Sequence, residues 1–330
     1  MKRPRVLATR CIRLALLVEA HRLLHKRLLQ ATIVTGVVLG AAVPVLTQSA
    51  APVVFRGGTN AVMLQVSVTA GKTAQHVGDL TAEDFTILED GVAQDITHFS
   101  KAEDPLALSI LLDTSGSMDE SIGLAQRAAI QFTERLRASD VAEIVAFNNQ
   151  VRVLQPFTGN PTELGFAIRR TSVSGTTALY SALHTALEEL AAIRATQGFR
   201  RRAIVLLSDG EDTASQVSFE EVFDLARRSG VSIYPIGLGI RPKVDIRTVN
   251  PAPEILQRFA KATGGRAIFV DRADQLAKVY EQVADELESQ YTIGYTPKTA
   301  RQDGKWHDIT VQVDRRNCDA RTRAGYQAAQ

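Results

Sequence analysis

Apolar runs alternate with amphipathic stretches through the middle of the chain, from about residue 104 to 290. The clearest run, at 106–112, reads LALSILL and ends at a carboxylate followed by a polar loop. An apolar run of this length that stops at turn residues is typical of a strand buried on both faces. The same pattern predicts further strands over 141–147, 151–157, 203–207, 231–236 and 267–270.

Between these strands, apolar residues recur at helical spacing. This periodicity predicts helices over 121–138, 178–195, 219–228, 254–263 and 275–289, while 240–253, with three prolines, reads as an irregular loop. Alternating strands and helices predict an α/β fold: a doubly wound, mostly parallel sheet with helices on both faces and right-handed crossovers.

The stretches on both sides of this unit show strand patterns without long helices. Residues 62–68 and 85–89 are strand-like, and Asp90-Gly91 predicts a hairpin joining 85–89 to 93–100. Near the other end, 291–295 and 306–313 predict a second hairpin with a long loop, and 321–326 a short edge strand. Because a pair of strands is rarely stable alone, we expect 53–103 and 291–330 to form one small β-sandwich-like domain.

The amino-terminal stretch, 1–49, has the pattern of an export signal. A basic flank precedes the uncharged run 28–46, and small residues follow it. This arrangement predicts a signal peptide that is cleaved after Ser49 or close by. The run is also long enough to span a bilayer, so an uncleaved anchor with its basic end inside is the alternative. Either reading places the remainder outside the cytoplasm, secreted or in the cell envelope.

The formal net charge is +2, but the charged residues are unevenly distributed along the chain. Residues 1–49 are strongly basic with Glu19 as their one acid, so the remainder is net acidic. No support for nucleic-acid binding remains. Of the two cysteines, Cys11 lies in the leader, which leaves Cys318 alone and predicts no intramolecular disulfide.

The polar loop after the first apolar run carries candidate chemistry. Asp113, Ser115 and Ser117 follow one another at every second position. Ligands of open α/β sheets bind at the carboxyl ends of the strands, where this loop is predicted to lie. Three hard oxygen donors at that place favour Mg²⁺, Ca²⁺ or Mn²⁺ over zinc.

Three motifs resemble the metal-ion-dependent adhesion site of von Willebrand factor A domains. Asp113-Thr-Ser-Gly-Ser117 resembles the DxSxS motif, Gly175-Thr176-Thr177-Ala178-Leu179-Tyr180 the threonine loop, and Leu206-Leu207-Ser208-Asp209-Gly210 the aspartate loop. The resemblance spans about 104–290. The preceding stretch LTAEDFTILEDGVAQDITHFS resembles a segment found before this domain in bacterial secreted proteins described as von Willebrand factor A-related.

The resemblance implies a ligand set and a partner. The implied metal site comprises Asp113, Ser115, Ser117, Thr177 and Asp209. The two serines would bind the ion directly and Thr177 directly or through water, with Thr176 as its competitor. The two aspartates would act mostly through water or by orienting the hydroxyls. An open coordination position would attract a carboxylate of a protein partner, with Mg²⁺ the expected ion and Mn²⁺ or Ca²⁺ the alternatives.

Enzymatic readings fit less well, so we expect no enzymatic activity. A haloacid-dehalogenase-like phosphatase needs a second aspartate where Ser115 stands, and no Gly-x-Ser-x-Gly or phosphate-binding glycine motif occurs. Two alternatives stay open: a metal-assisted hydrolase, and a scaffold in which the ion only stiffens the loops. We also expect the metal loops to face away from the small β domain.

Overall fold

The computed structural model describes residues 61–71, 75–101, 104–197, 200–239, 252–298 and 303–328. All of them belong to one compact unit. The predicted leader and most of the predicted loop 240–253 lie outside the described residues. Within the described ranges, no helix is long and apolar enough to cross a membrane.

Fifteen strands are present in the described residues. In chain order they are β1 (Val62–Ala70), β2 (Gln75–His76), β3 (Phe85–Glu89), β4 (Val92–Gln94), β5 (Ile96–Lys101), β6 (Leu106–Asp113), β7 (Val141–Phe147), β8 (Val151–Thr158), β9 (Arg201–Ser208), β10 (Ser232–Leu238), β11 (Ile268–Val270), β12 (Tyr291–Tyr295), β13 (Trp306–Val313), β14 (Cys318–Arg321) and β15 (Gly325–Gln327).

The α-helices of the same ranges are α1 (Ile122–Thr133), α2 (Pro161–Arg169), α3 (Leu179–Gln197), α4 (Phe219–Ser229), α5 (Ala252–Thr263) and α6 (Leu276–Ser289). Short 3₁₀ turns occur at Ala82–Asp84, Gly116–Met118 and Ala273–Gln275.

A six-stranded sheet forms the centre of the fold, in the order β11-β10-β9-β6-β7-β8. Its pairings are parallel except for β8, which runs antiparallel to β7. Every residue of β6, β9 and β10 is buried, as expected for strands covered on both faces. Helices α1, α2 and α6 cover one face, and α3, α4 and α5 cover the other. The predicted doubly wound α/β fold is therefore confirmed.

Strands from both ends of the described chain build two further sheets. One has the order β14-β1-β12-β5, with β2 beside β1, and the other the order β15-β13-β3-β4. In the first sheet, β1 pairs antiparallel with β12 and β14 from the other end of the chain. Apolar side chains of both sheets share one core, which includes Leu64, Ile87, Tyr291 and Ile309.

The two predicted hairpins at the chain ends are wrong in part. β3 pairs with the short β4, but the chain leaves that sheet at Asp95, and β5 pairs with β12 instead. In this position the Phe99 ring packs against Tyr291 and Phe85 in the core that both small sheets share. Likewise β12 and β13 do not pair with each other, since fully buried β12 lies between β1 and β5 whereas β13 pairs with β3 and β15. The predicted strand 321–326 is two strands, β14 and β15.

Two helix predictions also need correction, and one helix of the structure has no counterpart among the predictions. Helix α1 ends at Thr133 rather than 138, because Asp140 holds the following turn by accepting hydrogen bonds from the backbone N–H of Arg137 and Leu106. Helix α2 was not predicted, although Asn160 accepts from the Thr162 N–H and a proline follows it, a common helix start. Helix α5 begins at Ala252, inside the predicted loop 240–253.

The two smaller sheets contact the amino ends of the central strands. Arg201, at the start of β9, donates to the Asp104 carbonyl, between β5 and β6, and to the Leu287 carbonyl, in the last turns of α6 before β12. The backbone of Ala324 donates to the Ala262 carbonyl at the end of α5. The loops at the carboxyl ends of the central strands lie on the opposite edge.

Candidate functional site

The loop after β6 is folded back onto its own strand. The backbone N–H and the hydroxyl of Thr114 both donate to the Phe147 carbonyl, at 2.7 and 2.9 Å. Asp113 is fully buried, and its Oδ1 accepts from the Ser115 N–H at 2.8 Å. The following 3₁₀ turn ends in the buried Met118, which anchors the loop in the core. As a result the Ser115 and Ser117 hydroxyl oxygens lie 3.1 Å apart.

The loop after β9 joins this group at the same edge of the sheet. The Ser208 hydroxyl donates to Asp113 Oδ2 at 2.6 Å, and the Ser117 hydroxyl donates to Asp209 Oδ1 at 2.8 Å. Four of the five predicted site residues are thus connected by hydrogen bonds. They are Asp113, Ser115, Ser117 and Asp209.

The threonine loop is held against the first loop by its backbone. The Gly116 N–H donates to the Gly175 carbonyl at 3.0 Å, and the Ser174 N–H donates to the Thr114 carbonyl at 2.8 Å. Gly175 has φ +73°, a left-handed conformation that glycine adopts without strain, and a Cβ there would also displace the Asn149 side chain, whose Oδ1 would lie 2.9 Å away.

Thr176 and Thr177 differ in their surroundings. Thr177 is buried, its N–H donates to the Thr213 hydroxyl at 3.1 Å, and its carbonyl accepts from the Thr213 N–H at 2.8 Å. Thr176 is exposed. Within the described part of the chain, the Thr177 hydroxyl makes no hydrogen bond, and no side-chain hydrogen bond joins it to the other four predicted residues. It is the one predicted ligand that the structure leaves apart.

The two aspartates of the site lack cationic partners among the described residues. Burial raises the pKa of the Asp113 carboxyl, hydrogen bonds from Ser208 and Ser115 oppose this shift, and the charge of Asp209 adds to it. Burial also raises the pKa of Asp209, against the hydrogen bond from Ser117. Because desolvation and mutual repulsion disfavour both charges, a cation placed between these loops would be stabilising.

Several residues that hold the site were not identified from the sequence. Ser208 orients Asp113. The one sequence feature that indicates this role is the position of Ser208 at a strand end, immediately before Asp209. Asp212 accepts from the Tyr180 N–H at 3.1 Å and from the Ser215 hydroxyl, and so fixes the start of α3. The Asn148 side chain donates to the Ser174 hydroxyl at 3.1 Å. Neither Asp212 nor Asn148 stands out by sequence spacing.

The donor set fits a hard divalent ion. The described residues contain no cluster of three or more histidine, cysteine, aspartate and glutamate side chains, so the donors are hydroxyls together with two carboxylates. Neighbouring oxygens around an octahedral Mg²⁺ with bonds of 2.0–2.1 Å lie about 2.9 Å apart. The Ser115 and Ser117 oxygens lie 3.1 Å apart, close to that spacing, and Asp209, which accepts from the Ser117 hydroxyl at 2.8 Å, is placed to orient it.

The family model of the von Willebrand factor type A domain matches residues 108–211, which include all three loops. The chain therefore contains a domain of this family, and it is similar to bacterial proteins that carry one. No curated protein matches the chain.

Among solved structures, the chain is similar to a von Willebrand factor type A protein from Catenulispora acidiphila, with 13% identity over 83% of this chain and 75% of that one and a TM-score of 0.48. It is also similar to proximal thread matrix protein 1 of the mussel byssus, with 14% identity over 67% of this chain and a TM-score of 0.45; it spans 50% of that protein's length. The von Willebrand factor domain of the pilus tip protein Mfa5 from Porphyromonas gingivalis has 13% identity, covering 55% of this chain and 94% of that one, with a TM-score of 0.45. We base the function on the site itself.

Proposed function

We propose that this protein is an extracytoplasmic, non-enzymatic binding module. It holds a divalent cation, most favourably Mg²⁺, at the three loops and uses the ion to bind an acidic group of a protein partner. Mn²⁺ and Ca²⁺ share the preference for oxygen donors and are the alternative ions. The observation that carries the proposal is the hydrogen-bonded connection from Ser208 through Asp113, Ser115 and Ser117 to Asp209.

Neutral hydroxyls as direct ligands would leave the ion short of negative charge. Ser115 and Ser117 present such hydroxyls, while Asp113 is already committed to hydrogen bonds from Ser208 and Ser115. An ion held in this way keeps most of its positive charge and attracts an outside carboxylate. Ser117 and Thr176 are exposed at the surface, which gives a partner access to this place.

Two features support a binding role over hydrolysis. Hydrolysis by an ion-bound water needs a general base within hydrogen-bond reach. Of the two further carboxylates in the third loop, Asp212 is engaged in fixing the start of α3, and Glu211 is exposed.

An extracytoplasmic location is supported by the basic, apolar and small-residue pattern of 1–49.

Isothermal titration calorimetry with Mg²⁺, Mn²⁺ and Ca²⁺ tests the ion site. Ser115→Ala and Asp209→Asn should each lower the affinity by about 10- to 100-fold. Asp319→Asn is the matched control, because Asp319 is an exposed aspartate of β14 in another sheet and should bind ions like the wild type. Absence of ion binding by the wild-type protein contradicts the proposal.

A pair of isosteric variants decides between the two threonines. Thr177→Val removes the buried hydroxyl and Thr176→Val the exposed one, each without a large change of volume. We expect the first to weaken ion binding and the second to leave it unchanged. The reverse result would assign the ligand role to Thr176.

The partner is tested by affinity capture from envelope extract with and without a chelator. A captured protein that is released by the chelator, and that fails to bind Asp209→Asn, supports the proposed function. Chelator-sensitive stability with only chelator-insensitive capture would instead favour a scaffold role. If the protein hydrolyses an ester or phosphoester in a Mn²⁺-dependent reaction, and Asp209→Asn abolishes that activity, the protein is a hydrolase and not a binding module.

A further inference from the structure

A cleft rich in arginine lies at the amino edge of the central sheet, opposite the three loops. Its volume is about 120 Å³, and it lies between β1 and the starts of β9 and β10. Six arginines line it. We call it the arginine cleft and define it by four of them, Arg194, Arg202, Arg228 and Arg323.

Two of these guanidinium groups face the same small space. Arg323 Nη1 lies 3.1 Å, and Arg202 Nη2 lies 3.5 Å, from the position that a Cβ of Gly230 would take. Gly230 ends helix α4 with φ +66°, and the lack of a side chain there keeps the space open. The fold therefore brings two like charges together from distant parts of the chain.

No negative charge offsets them. None of the residues that line the cleft is acidic, and in the described part of the chain none of its four arginines forms an ion pair with a carboxylate. Burial lowers the pKa of Arg202 to about 10, and the charges of Arg194 and Arg323 add to this shift. Burial likewise lowers the pKa of Arg323 to about 10. Without an anion, the cleft is a region of unbalanced positive charge.

Donors remain unused in the cleft. Arg202 is only 8% exposed, and it donates from Nη2 to the Ser229 carbonyl at 2.6 Å. Arg323 donates from Nη2 to the Met63 carbonyl at 3.2 Å, while its Nε–H is buried without a partner among the described residues. A guanidinium has five N–H donors, and a buried donor left without an acceptor is destabilising. An acceptor with several oxygens would satisfy these groups together.

Two neighbouring arginines at the same edge, Arg201 and Arg321, are held by more or stronger partners. Arg201 precedes Arg202 in β9 and also lines the cleft, but it donates to two backbone carbonyls, those of Asp104 and Leu287. Arg321, two positions before Arg323, pairs with the buried carboxylate of Glu286. Among the described residues, Arg202 and Arg323 each donate one hydrogen bond, to a backbone carbonyl, and no carboxylate pairs with either.

We propose that the arginine cleft binds a tetrahedral oxyanion, a phosphate or sulfate group, either free or at the end of a larger ligand. The planar forks of Arg202 and Arg323 supply paired N–H donors of the kind that bind phosphate oxygens bidentately. Arg194 and Arg228 are exposed at the rim and add attraction at longer range. The site is separate from the proposed metal site at the other edge.

The test is calorimetric titration of the full chain with inorganic phosphate, at an ionic strength held constant with sodium chloride. Arg323→Gln should weaken phosphate binding by about 10-fold or more, the usual effect of removing a charge-assisted donor. Arg152→Gln is the matched control, since Arg152 is exposed on β8 and its replacement changes net charge equally. If Arg323→Gln fails to fold, Arg194→Gln at the exposed rim carries the test, with a loss of about 3-fold expected from its longer-range attraction.

Titration with phenyl phosphate separates the two sources of the group. Tighter binding of phenyl phosphate than of inorganic phosphate indicates an oxyanion carried on a larger ligand, and the reverse order indicates the free ion. The proposal is overturned if neither phosphate nor sulfate binds more tightly than chloride. Equal binding by wild type, Arg323→Gln and Arg194→Gln overturns it as well, because the anion then lies elsewhere.

Discussion

The two edges of the central sheet carry opposite chemistry on one framework. At the carboxyl edge, hydroxyls and the carboxylates of Asp113 and Asp209 come together, and the described residues offer them no cation. At the amino edge, the guanidinium groups of Arg202 and Arg323 come together, and no described carboxylate pairs with them. Each edge therefore keeps like charges close to one another, an arrangement that costs stability until a ligand of opposite charge binds.

The distance between the edges makes them independent. The eight residues of β6 span about 26 Å at the usual rise of a strand. This length is about three times the Debye length of about 8 Å at physiological ionic strength, so exposed charges at one edge are screened from those at the other. Ion binding and anion binding should accordingly be altered by separate substitutions.

The largest expected effect comes from a glycine beside the arginine cleft. Gly264 has φ +80°, and a Cβ there would lie 2.6 Å from the backbone of Thr322 and of Arg323. Gly264→Ala should lower the free energy of unfolding by about 4 kcal/mol, since it combines left-handed strain with a backbone clash. It should also weaken phosphate binding and leave Mg²⁺ binding unchanged, as urea titration and calorimetry would measure.

The control for that variant lies at the other edge. Gly239 follows β10 with φ +68°, but a Cβ there would meet nothing within 4 Å. Gly239→Ala should therefore show the strain alone, about 1 kcal/mol. Equal destabilisation by Gly239→Ala and Gly264→Ala would show that close backbone approach is not what shapes the amino edge.

The next largest expected effect is a pH dependence of the free energy of unfolding, caused by a buried glutamate in the central sheet. Glu143 in β7 is fully buried, and burial raises its pKa from 4.5 to about 7 against the opposing effect of Ser109 beside it. A raised pKa stabilises the fold below pH 4.5, and this contribution is lost as the pH rises through about 7. At 1.36 kcal/mol per pKa unit the loss is about 3 kcal/mol.

Glu143→Gln should abolish that pH dependence and make the protein more stable than wild type at pH 8. Urea unfolding of both proteins at several pH values between 4.5 and 8 measures it. Glu189→Gln serves as a control, because the charge of Glu189 contributes only the smaller, repulsive part of the shift. Parallel stability curves for wild type and Glu143→Gln would contradict the prediction.

The smallest expected effect concerns charge at the rim of the arginine cleft. Arg194 is exposed, and its charge contributes to the lowered pKa of Arg202. Arg194→Gln should raise the free energy of unfolding by about 0.5 kcal/mol at low salt without phosphate, since it relieves repulsion. The gain should vanish in high salt and reverse in phosphate. A loss of stability at low salt would mean that the cleft is already neutralised.

The fold class and three loops of the site were readable from the sequence because they depend on local patterns. The strand-like stretches at β7 and β12 and the alternating stretch at β13 predict these strands with the bounds that the structure has. Strand partners were not readable, since Asp90-Gly91 predicts a turn but cannot say that the chain leaves the sheet at Asp95. The arginine cleft was equally invisible, because Arg202 and Arg323 come together only in the folded chain.

The pairing of β1 with strands from the far end of the chain has a consequence for the order of folding. Ser67 in β1 donates to Glu286, 219 positions away, and such long-range closure is entropically slow. In a chain synthesised from its amino end, the strands β1, β2, β3, β4 and β5 are complete long before β12 and β13 exist. The central domain can complete its own sheet first. Until β12 and β14 are synthesised, both edges of β1 lack these partners, and unpaired strand edges promote aggregation. Folding of the two smaller sheets should be the last and slowest step, and truncation before Tyr291 would leave β1 and β5 without their shared partner.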